Sequence, residues 1–118
     1  MNEIRKVVST LWYDKDNYHT LRNVFPNAEF VYVDFYDKEK LEQEAKDADV
    51  ALVLGDVPDC LLGENSLKWI ACDHAGLNGS ARPEVFAKNI FVTGAAGRSA
   101  PVLAEHCIYF MLQSCYHT

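Results

Sequence analysis

The four residues DHAG end an apolar run in the segment LKWIACDHAGLN, residues 67–78. Small residues let a backbone approach a ligand closely, and successive N–H groups in such a turn can bind an anion. We therefore predict that a small anion binds against the backbone of this loop. An ordinary turn glycine is the alternative interpretation of Gly76.

Two Cys-x-His pairs, Cys72 with His74 and Cys115 with His117, raise the question of a metal site. Structural zinc sites usually contain CxxC or HxxxH spacings, and the sequence contains neither. Scattered cysteines on apolar segments are typical of free, buried thiols in a reducing compartment. We predict buried thiols at Cys60, Cys72, Cys107 and Cys115, with no metal site and no disulfide.

Composition narrows the class of protein. The chain has 118 residues, of which 49% are apolar, and a formal charge of −6. A chain of this length is expected to form one domain. The acidic balance and the lack of a Lys/Arg cluster disfavour nucleic acid as a partner. No apolar window reaches the ~20 residues that cross a bilayer, and no leader pattern opens the sequence. We expect a soluble cytoplasmic protein.

Hydrophobic periodicity predicts alternating strands and helices. Short β-branched or apolar runs predict strands, and apolar residues at helical spacing predict helices. The predicted strands are residues 4–11, 29–35, 50–54, 67–72 and 90–93, and the predicted helices are residues 14–24, 38–48, 83–88 and a last one from about residue 100. Alternation of this kind indicates a parallel sheet with helices on both faces, a flavodoxin-like three-layer sandwich.

Ligands of such sheets bind at the carboxyl ends of the strands. That rule selects three loops in this chain, residues 56–58, 73–80 and 94–101. The second of them contains Ala75 and Gly76. The predicted anion site therefore lies where the fold class expects a ligand.

The last segment, SAPVLAEHCIYFMLQSCYHT, predicts a helix with an unusually wide apolar surface. Ser99 is a plausible cap, and Pro101 suits the first helical turn. The polar residues fall within one stripe of about 120°, so most of the circumference is apolar. A second domain or a second chain is expected to cover this surface. We therefore predict that residues 1–118 are one domain of a longer protein, with residues 99–118 leading into the next domain, or else half of an obligate assembly.

Three successive pieces, LKWIACDHAGLN, PEVFAKNIFVTGAAG and RSAPVLAEHCIYFMLQ, carry a family resemblance. In this order and spacing they resemble the substrate-binding domain of the D-isomer-specific 2-hydroxyacid dehydrogenases. The resemblance covers about the last fifty residues. Residues 4–54 are compatible in the order and length of their elements but carry no motif of their own.

The resemblance implies a two-domain enzyme that interconverts a 2-oxo acid and a D-2-hydroxy acid by hydride transfer with NAD or NADP. The dinucleotide-binding domain, with the catalytic His, Arg and Glu of the family, would begin beyond Thr118. No catalytic residue is therefore assigned in this chain, and the chain alone is expected to be inactive. The resemblance also implies a homodimer for the complete protein.

The resemblance assigns roles to four residues. Ala75 and Gly76 match the turn whose amides bind the substrate carboxylate. Ser99 matches a polar residue near the substrate, and Leu103 matches an apolar residue beside the nicotinamide. The alternative interpretations are a helix cap for Ser99 and a core leucine for Leu103.

The sequence departs from the family pattern at His74, Asn78 and Gly94, where the family usually has Gly, Asp and Asn. These departures bear on substrate identity, and His74 is expected to narrow the pocket, to touch the ligand or to be simply solvated.

Three alternatives stay open. One is a non-catalytic ligand sensor or corepressor on the dehydrogenase scaffold, and another is an interaction module that docks through its last helix. The third is a phosphoacceptor domain that uses Asp56. This third alternative is disfavoured because Ser9, Thr10 and Leu11 stand where an acidic pair for Mg²⁺ is needed.

Overall fold

The computed structural model describes residues 3–117 as a single sheet with helices between its strands. The strands are β1 (Lys6–Ser9), β2 (Glu29–Tyr32), β3 (Val50–Val53), β4 (Trp69–Cys72) and β5 (Phe91–Thr93). The helices are α1 (Lys15–Val24), α2 (Lys38–Ala45), α3 (Pro83–Phe86) and α4 (Ala100–Tyr116), with a 3₁₀ turn at Asp59–Leu61. All strand pairs are parallel, and the strand order is β2-β1-β3-β4-β5. The predicted α/β class and parallel sheet are confirmed, and the order is the flavodoxin-like one.

The two faces of the sheet carry separate apolar cores. Val7 and Leu52 point to the face that is covered by Leu21 of α1 and by Phe25, the residue that follows α1. Alternate residues of the same strands point to the opposite face and pack with α2, the 3₁₀ turn and α3; they include Val8, Ala51, Val53 and Ile70. Strands buried on both faces explain the uninterrupted apolar run of β3.

β1 and β2 end earlier than predicted, and in each case a side chain turns the backbone at the carboxyl end of the strand. The Ser9 hydroxyl accepts the Leu11 N–H (3.0 Å) and donates to the Leu11 carbonyl (2.9 Å), so β1 stops at Ser9. Asp34 accepts the Tyr36 N–H (2.9 Å) just after β2. Local side-chain bonds of this kind compete with strand pairing.

A charged network holds the opposite end of the sheet. One Asp49 oxygen accepts the N–H groups of Arg5 (2.8 Å) and Lys6 (3.2 Å), and the other lies 3.4 Å from the Lys68 ammonium. Burial raises the pKa of Asp49, but these hydrogen bonds and the Lys68 charge outweigh it and hold the pKa below its ordinary value. Asp49 thereby ties β1 and β4 to the start of β3.

Helix α4 packs on neither apolar core. It has no buried residue, and Leu103, Phe110 and Met111 are each more than half exposed. The prediction of buried thiols is consequently wrong for Cys107 and Cys115, which are exposed, and Cys60 is only half-buried. Thr118, the last residue of the predicted segment 99–118, lies outside the described residues. Within residues 3–117, no helix combines the length and the apolar character that a membrane crossing requires.

Candidate functional site

The loop that follows β4, residues 73–80, lies at the carboxyl end of the sheet and is held there by its first residue. The Asp73 carboxylate accepts the Gly55 N–H (2.8 Å) from the loop after β3. The Asp73 N–H in turn donates to the Val53 carbonyl (3.1 Å). These two bonds fix the start of the loop, which we call the β4 loop.

Ala75 and Gly76 form the exposed tip of the β4 loop. Neither of their N–H groups has an acceptor among the described residues 3–117. A Cβ added to Gly76 would have no neighbour within 4 Å, and Gly76 does not have the positive φ that favours glycine. Neither the backbone conformation nor the available space therefore requires glycine at residue 76. Ala75 and Gly76 thus leave two backbone donors unpaired within residues 3–117, and their role in anion binding stays a prediction.

Asp56 fastens the other end of the β4 loop. Its Oδ1 accepts the Ser80 hydroxyl (3.0 Å) and lies 3.3 Å from His74 Nε2. The buried Ser80 hydroxyl also accepts the Val57 N–H (3.0 Å). We call Asp56, His74 and Ser80 the Asp56 cluster. It joins the loop after β3 to both ends of the β4 loop.

Gly79 is required by the Asp56 cluster. A Cβ at Gly79 would collide with the Asp56 carboxylate. The only way to place a side chain there is to move that carboxylate away from Ser80 and His74. Backbone space, not backbone conformation, selects glycine at this position.

His74 contacts two carboxylates, so it is not simply solvated. Its Nδ1 lies 3.7 Å from Asp73 and its Nε2 lies 3.3 Å from Asp56. The imidazole also lies beneath Gly55, 3.5 Å from the position that a Cβ would occupy. The departure from the family pattern at residue 74 therefore introduces a connection between the loops after β3 and β4.

The loop after β5 lies directly against the β4 loop. The Ala95 N–H donates to the His74 carbonyl (3.0 Å). A Cβ at Gly94 would approach that same carbonyl to 3.1 Å and the Leu77 side chain to 3.2 Å. Gly94 therefore allows the two loops to meet.

Ser99 and Leu103 lie farther along the chain and are not drawn into this set of contacts. Ser99 is the N-cap residue of α4, as predicted, and its carbonyl accepts the Leu103 N–H (3.0 Å), but its side chain makes no capping hydrogen bond. Leu103 is 63% exposed on α4, so the core interpretation is wrong. Their predicted roles beside substrate and nicotinamide stay predictions.

A cleft of about 460 Å³ opens beside these loops on the α1 face. Its polar residues come from the ends of β4 and β5 and include Asp73, Thr93 and Arg98. Its apolar wall comes from the loop after β1 and from β3 and β4, namely Leu11, Trp12, Tyr13, Leu52, Trp69 and Ala71.

Trp12 and Tyr13 were not among the residues that the sequence singled out. Strand order was the signal that could have found them, because the order reverses between β1 and β3 and ligands of such sheets bind at that reversal.

The thiol and imidazole groups near the site form no metal-binding arrangement. No group of three His, Cys, Asp or Glu side chains within residues 3–117 is placed to hold a metal ion. Burial raises the pKa of Cys72 more than its contact with the Ser80 hydroxyl (3.8 Å) lowers it. Cys72 is thus a neutral core thiol rather than a nucleophile.

Comparisons of the chain with protein-family models, with curated proteins and with solved structures found no match. The resemblance to the 2-hydroxyacid dehydrogenases therefore depends on the motif residues themselves and stays a prediction.

Proposed function

We propose that this chain is the substrate-binding part of an NAD(P)-dependent oxidoreductase that interconverts a 2-oxo acid and a D-2-hydroxy acid. The observation that carries the proposal is the pair of exposed, unpaired N–H groups at Ala75 and Gly76, at the carboxyl end of β4. A carboxylate is the group common to every 2-oxo acid, and paired backbone donors bind it without a charged side chain.

The two anchors of the β4 loop support this role. Asp73 and the Asp56 cluster hold the loop on either side of Ala75 and Gly76. Donors held in place before the ligand arrives lose little conformational freedom on binding, so a fixed loop favours affinity. The part that this chain plays in the reaction is to bind and orient the carboxylate.

The described residues do not form a dinucleotide site. A fingerprint of the GxGxxG kind opens a βαβ unit, whereas Gly94 and Gly97 follow β5, an edge strand with no strand beyond it in residues 3–117. NAD or NADP would supply the hydride when bound, and we place its binding on a further domain. The chain alone is therefore expected to bind the acid without turning it over.

Helix α4 is proposed to be the connection to that domain. Its apolar residues have no partner among residues 3–117, and Leu103 lies near its start. A helix that exposes this much apolar surface requires a covering partner, which would be the further domain or the second subunit of a homodimer.

The proposal is tested by NMR titration of the isotope-labelled chain with pyruvate and with pyruvamide, its uncharged amide. We expect the N–H signals of Ala75 and Gly76 to move with pyruvate and to stay in place with pyruvamide, because only the carboxylate pairs with both donors. Sodium chloride at equal ionic strength is the control for non-specific anion effects. Equal shifts with both compounds, or shifts confined to other residues, would contradict the proposal.

A further inference from the structure

Asn78 and Gly79 lie in the turn between the tip of the β4 loop and its anchor at Ser80. The Leu77 carbonyl accepts the Ser80 N–H (3.0 Å) and the Ala81 N–H (2.8 Å), which closes the turn over these two residues. Both residues are exposed to solvent. They also form the single Asn–Gly pair of the sequence.

The groups of this pair that could react with each other have no other partner. The Asn78 side-chain amide makes no hydrogen bond within residues 3–117, and the Gly79 N–H has no acceptor there. The Gly79 carbonyl is bonded, because it accepts from the Arg82 guanidinium (2.6 Å), but this bond leaves the nitrogen of Gly79 unpaired.

An asparagine that precedes glycine can lose its side-chain amide without an enzyme, and asparagine is one of the thermolabile residues. The backbone nitrogen of Gly79 would give up its proton and form a bond to the side-chain carbonyl carbon of Asn78. The bond from that carbon to Nδ2 breaks, and the released group takes up a proton and leaves as ammonia. Water then opens the cyclic imide, adding its hydroxyl to one of the two carbonyl carbons and its proton to the nitrogen. The product is aspartate or isoaspartate at residue 78.

Gly79 meets two requirements at once. A Cβ on residue 79 would collide with the Asp56 carboxylate, so no larger residue can follow Asn78 without displacing that group. The absence of a Cβ also leaves nothing on residue 79 to hinder the approach of the Asn78 side chain to the backbone. The Asp56 cluster therefore retains the residue that exposes Asn78 to this reaction.

Asn65, which precedes Ser66, is the matched comparison within the chain. Serine is also small, but the Asn65 amide is held at both ends, since Nδ2 donates to the Leu61 carbonyl (2.8 Å) and Oδ1 accepts the Leu67 N–H (3.1 Å). The Asn65 side chain must break these hydrogen bonds before it can turn toward its own backbone. Asn78 has no such bonds to break within residues 3–117.

We propose that Asn78 is a site of spontaneous deamidation, at which the Gly79 nitrogen displaces ammonia and the amide becomes aspartate or isoaspartate. This modification goes beyond the proposed function and does not depend on it. It adds a negative charge to the β4 loop, and isoaspartate also adds one carbon to the main chain just before Gly79. Because Gly79 lies against the Asp56 carboxylate, the extra carbon is expected to disturb the Asp56 cluster.

The test incubates the folded 118-residue chain in warm, mildly alkaline buffer, and peptide mass spectrometry follows the conversion of amide to acid at each asparagine. We expect most of Asn78 to be converted before conversion of Asn65 is detectable. Conversion should be faster at higher pH, because the attacking nitrogen must lose its proton. Isoaspartate at residue 78 should be detected by the methyltransferase that recognises it, because only the imide route produces isoaspartate.

Asn78→Gln is expected to abolish formation of the acid at residue 78, because the longer side chain must close a larger ring, which forms more slowly. Asn23→Gln is the matched control, since Asn23 is exposed on α1 and its replacement should leave the conversion of Asn78 unchanged.

An amide that persists at residue 78 in the folded chain would overturn the proposal. Conversion there in the urea-unfolded chain alone would show that the turn protects the pair. Equal rates at Asn78 and Asn65, or an acid at residue 78 without isoaspartate, would overturn the proposal as well.

The effect on the Asp56 cluster is measured on the isoaspartate form, which ion exchange separates from the unconverted chain by its additional negative charge. We expect the NMR signals of the His74 imidazole and the Ser80 amide to shift, because both groups belong to the Asp56 cluster or adjoin it. Signals that stay in place at both residues would refute this effect.

Discussion

The role proposed for Ala75 and Gly76 is a backbone role, so the resemblance that selected them selected positions rather than side-chain chemistry. Their unpaired N–H groups could be anticipated from a strand that ends in a small-residue turn. The Asp56 cluster could not be anticipated, because Asp56 and Ser80 are 24 residues apart and only the pairing of β3 with β4 brings them together. His74 departs from the family pattern in the sequence alone, whereas its two carboxylate partners are evident only in the fold.

Two glycines of the β4 loop should differ strongly in their response to the same substitution. Gly79→Ala is expected to lower the free energy of unfolding by about 1–3 kcal/mol, because the new methyl group displaces Asp56 from Ser80 and His74. Gly76→Ala, the matched control, should change it by less than about 0.5 kcal/mol, since its Cβ meets open space. Denaturant unfolding measures both. Equal losses would refute the role of the Asp56 cluster.

At the scale of elements, the identity and order of the strands follow from hydrophobic runs, whereas their ends do not. β3 was predicted as residues 50–54 and is Val50–Val53, because an apolar run buried on both faces has few alternatives. β1 was predicted to extend to residue 11, but the Ser9 hydroxyl turns the backbone first. The identity of a serine at the end of a β-branched run does not decide where the strand ends. A following N–H can bind either the serine hydroxyl or a carbonyl of the adjacent strand, and only the fold shows which.

The start of β3 carries a pH dependence that can be measured. Asp49 has a pKa below its ordinary value of ~3.9, so its stabilising contribution is present above that pH and is lost as the pH falls through the folded-state pKa. Asp49→Asn should cost about 1 kcal/mol near neutral pH, because charged acceptors bind N–H groups more strongly than neutral ones. Denaturant unfolding at several pH values measures the free energy of unfolding of both proteins. The difference in this free energy between Asp49→Asn and the unsubstituted chain should shrink as the pH falls below about 4.

Glu64→Gln is the control for this pH series, because Glu64 is exposed and its carboxylate makes no hydrogen bond or ion pair within residues 3–117. The free energy of unfolding of Glu64→Gln should differ little from that of the unsubstituted chain across the same pH range. An Asp49→Asn difference that does not vary with pH would show that Asp49 does not stabilise the fold through its charge.

At the scale of the whole molecule, the sheet with its two cores is self-contained and α4 is not. The sequence predicts a wide apolar surface on the last segment, and α4 has no buried residue within residues 3–117; its role as a connection between domains stays a proposal. The exposure of Cys107 and Cys115 could not be inferred from apolar composition. Apolar composition predicts that a segment is buried but does not identify the surface that covers it. The same exposure that made the thiol prediction wrong supports the proposal that α4 meets a further domain or subunit.

The two ends of the sheet differ in the contacts that they make. Charged side chains at the amino ends of the strands stabilise the fold, as the contacts of Asp49 show. Loops at the carboxyl ends present unpaired donors and an aromatic cleft, at the edge where parallel sheets bind ligands. The loop after β1 lines the same cleft as the loops after β4 and β5, although β3 lies between β1 and β4 in the sheet.

The most direct test of the central claim is a crystal structure of the chain grown with a 2-oxo acid. We predict that the carboxylate oxygens lie about 3 Å from the backbone nitrogens of both Ala75 and Gly76, within hydrogen-bond distance. A carboxylate bound elsewhere would contradict the account, for example beside Lys38 and Arg82 in the cleft of about 650 Å³ on the opposite face of the sheet.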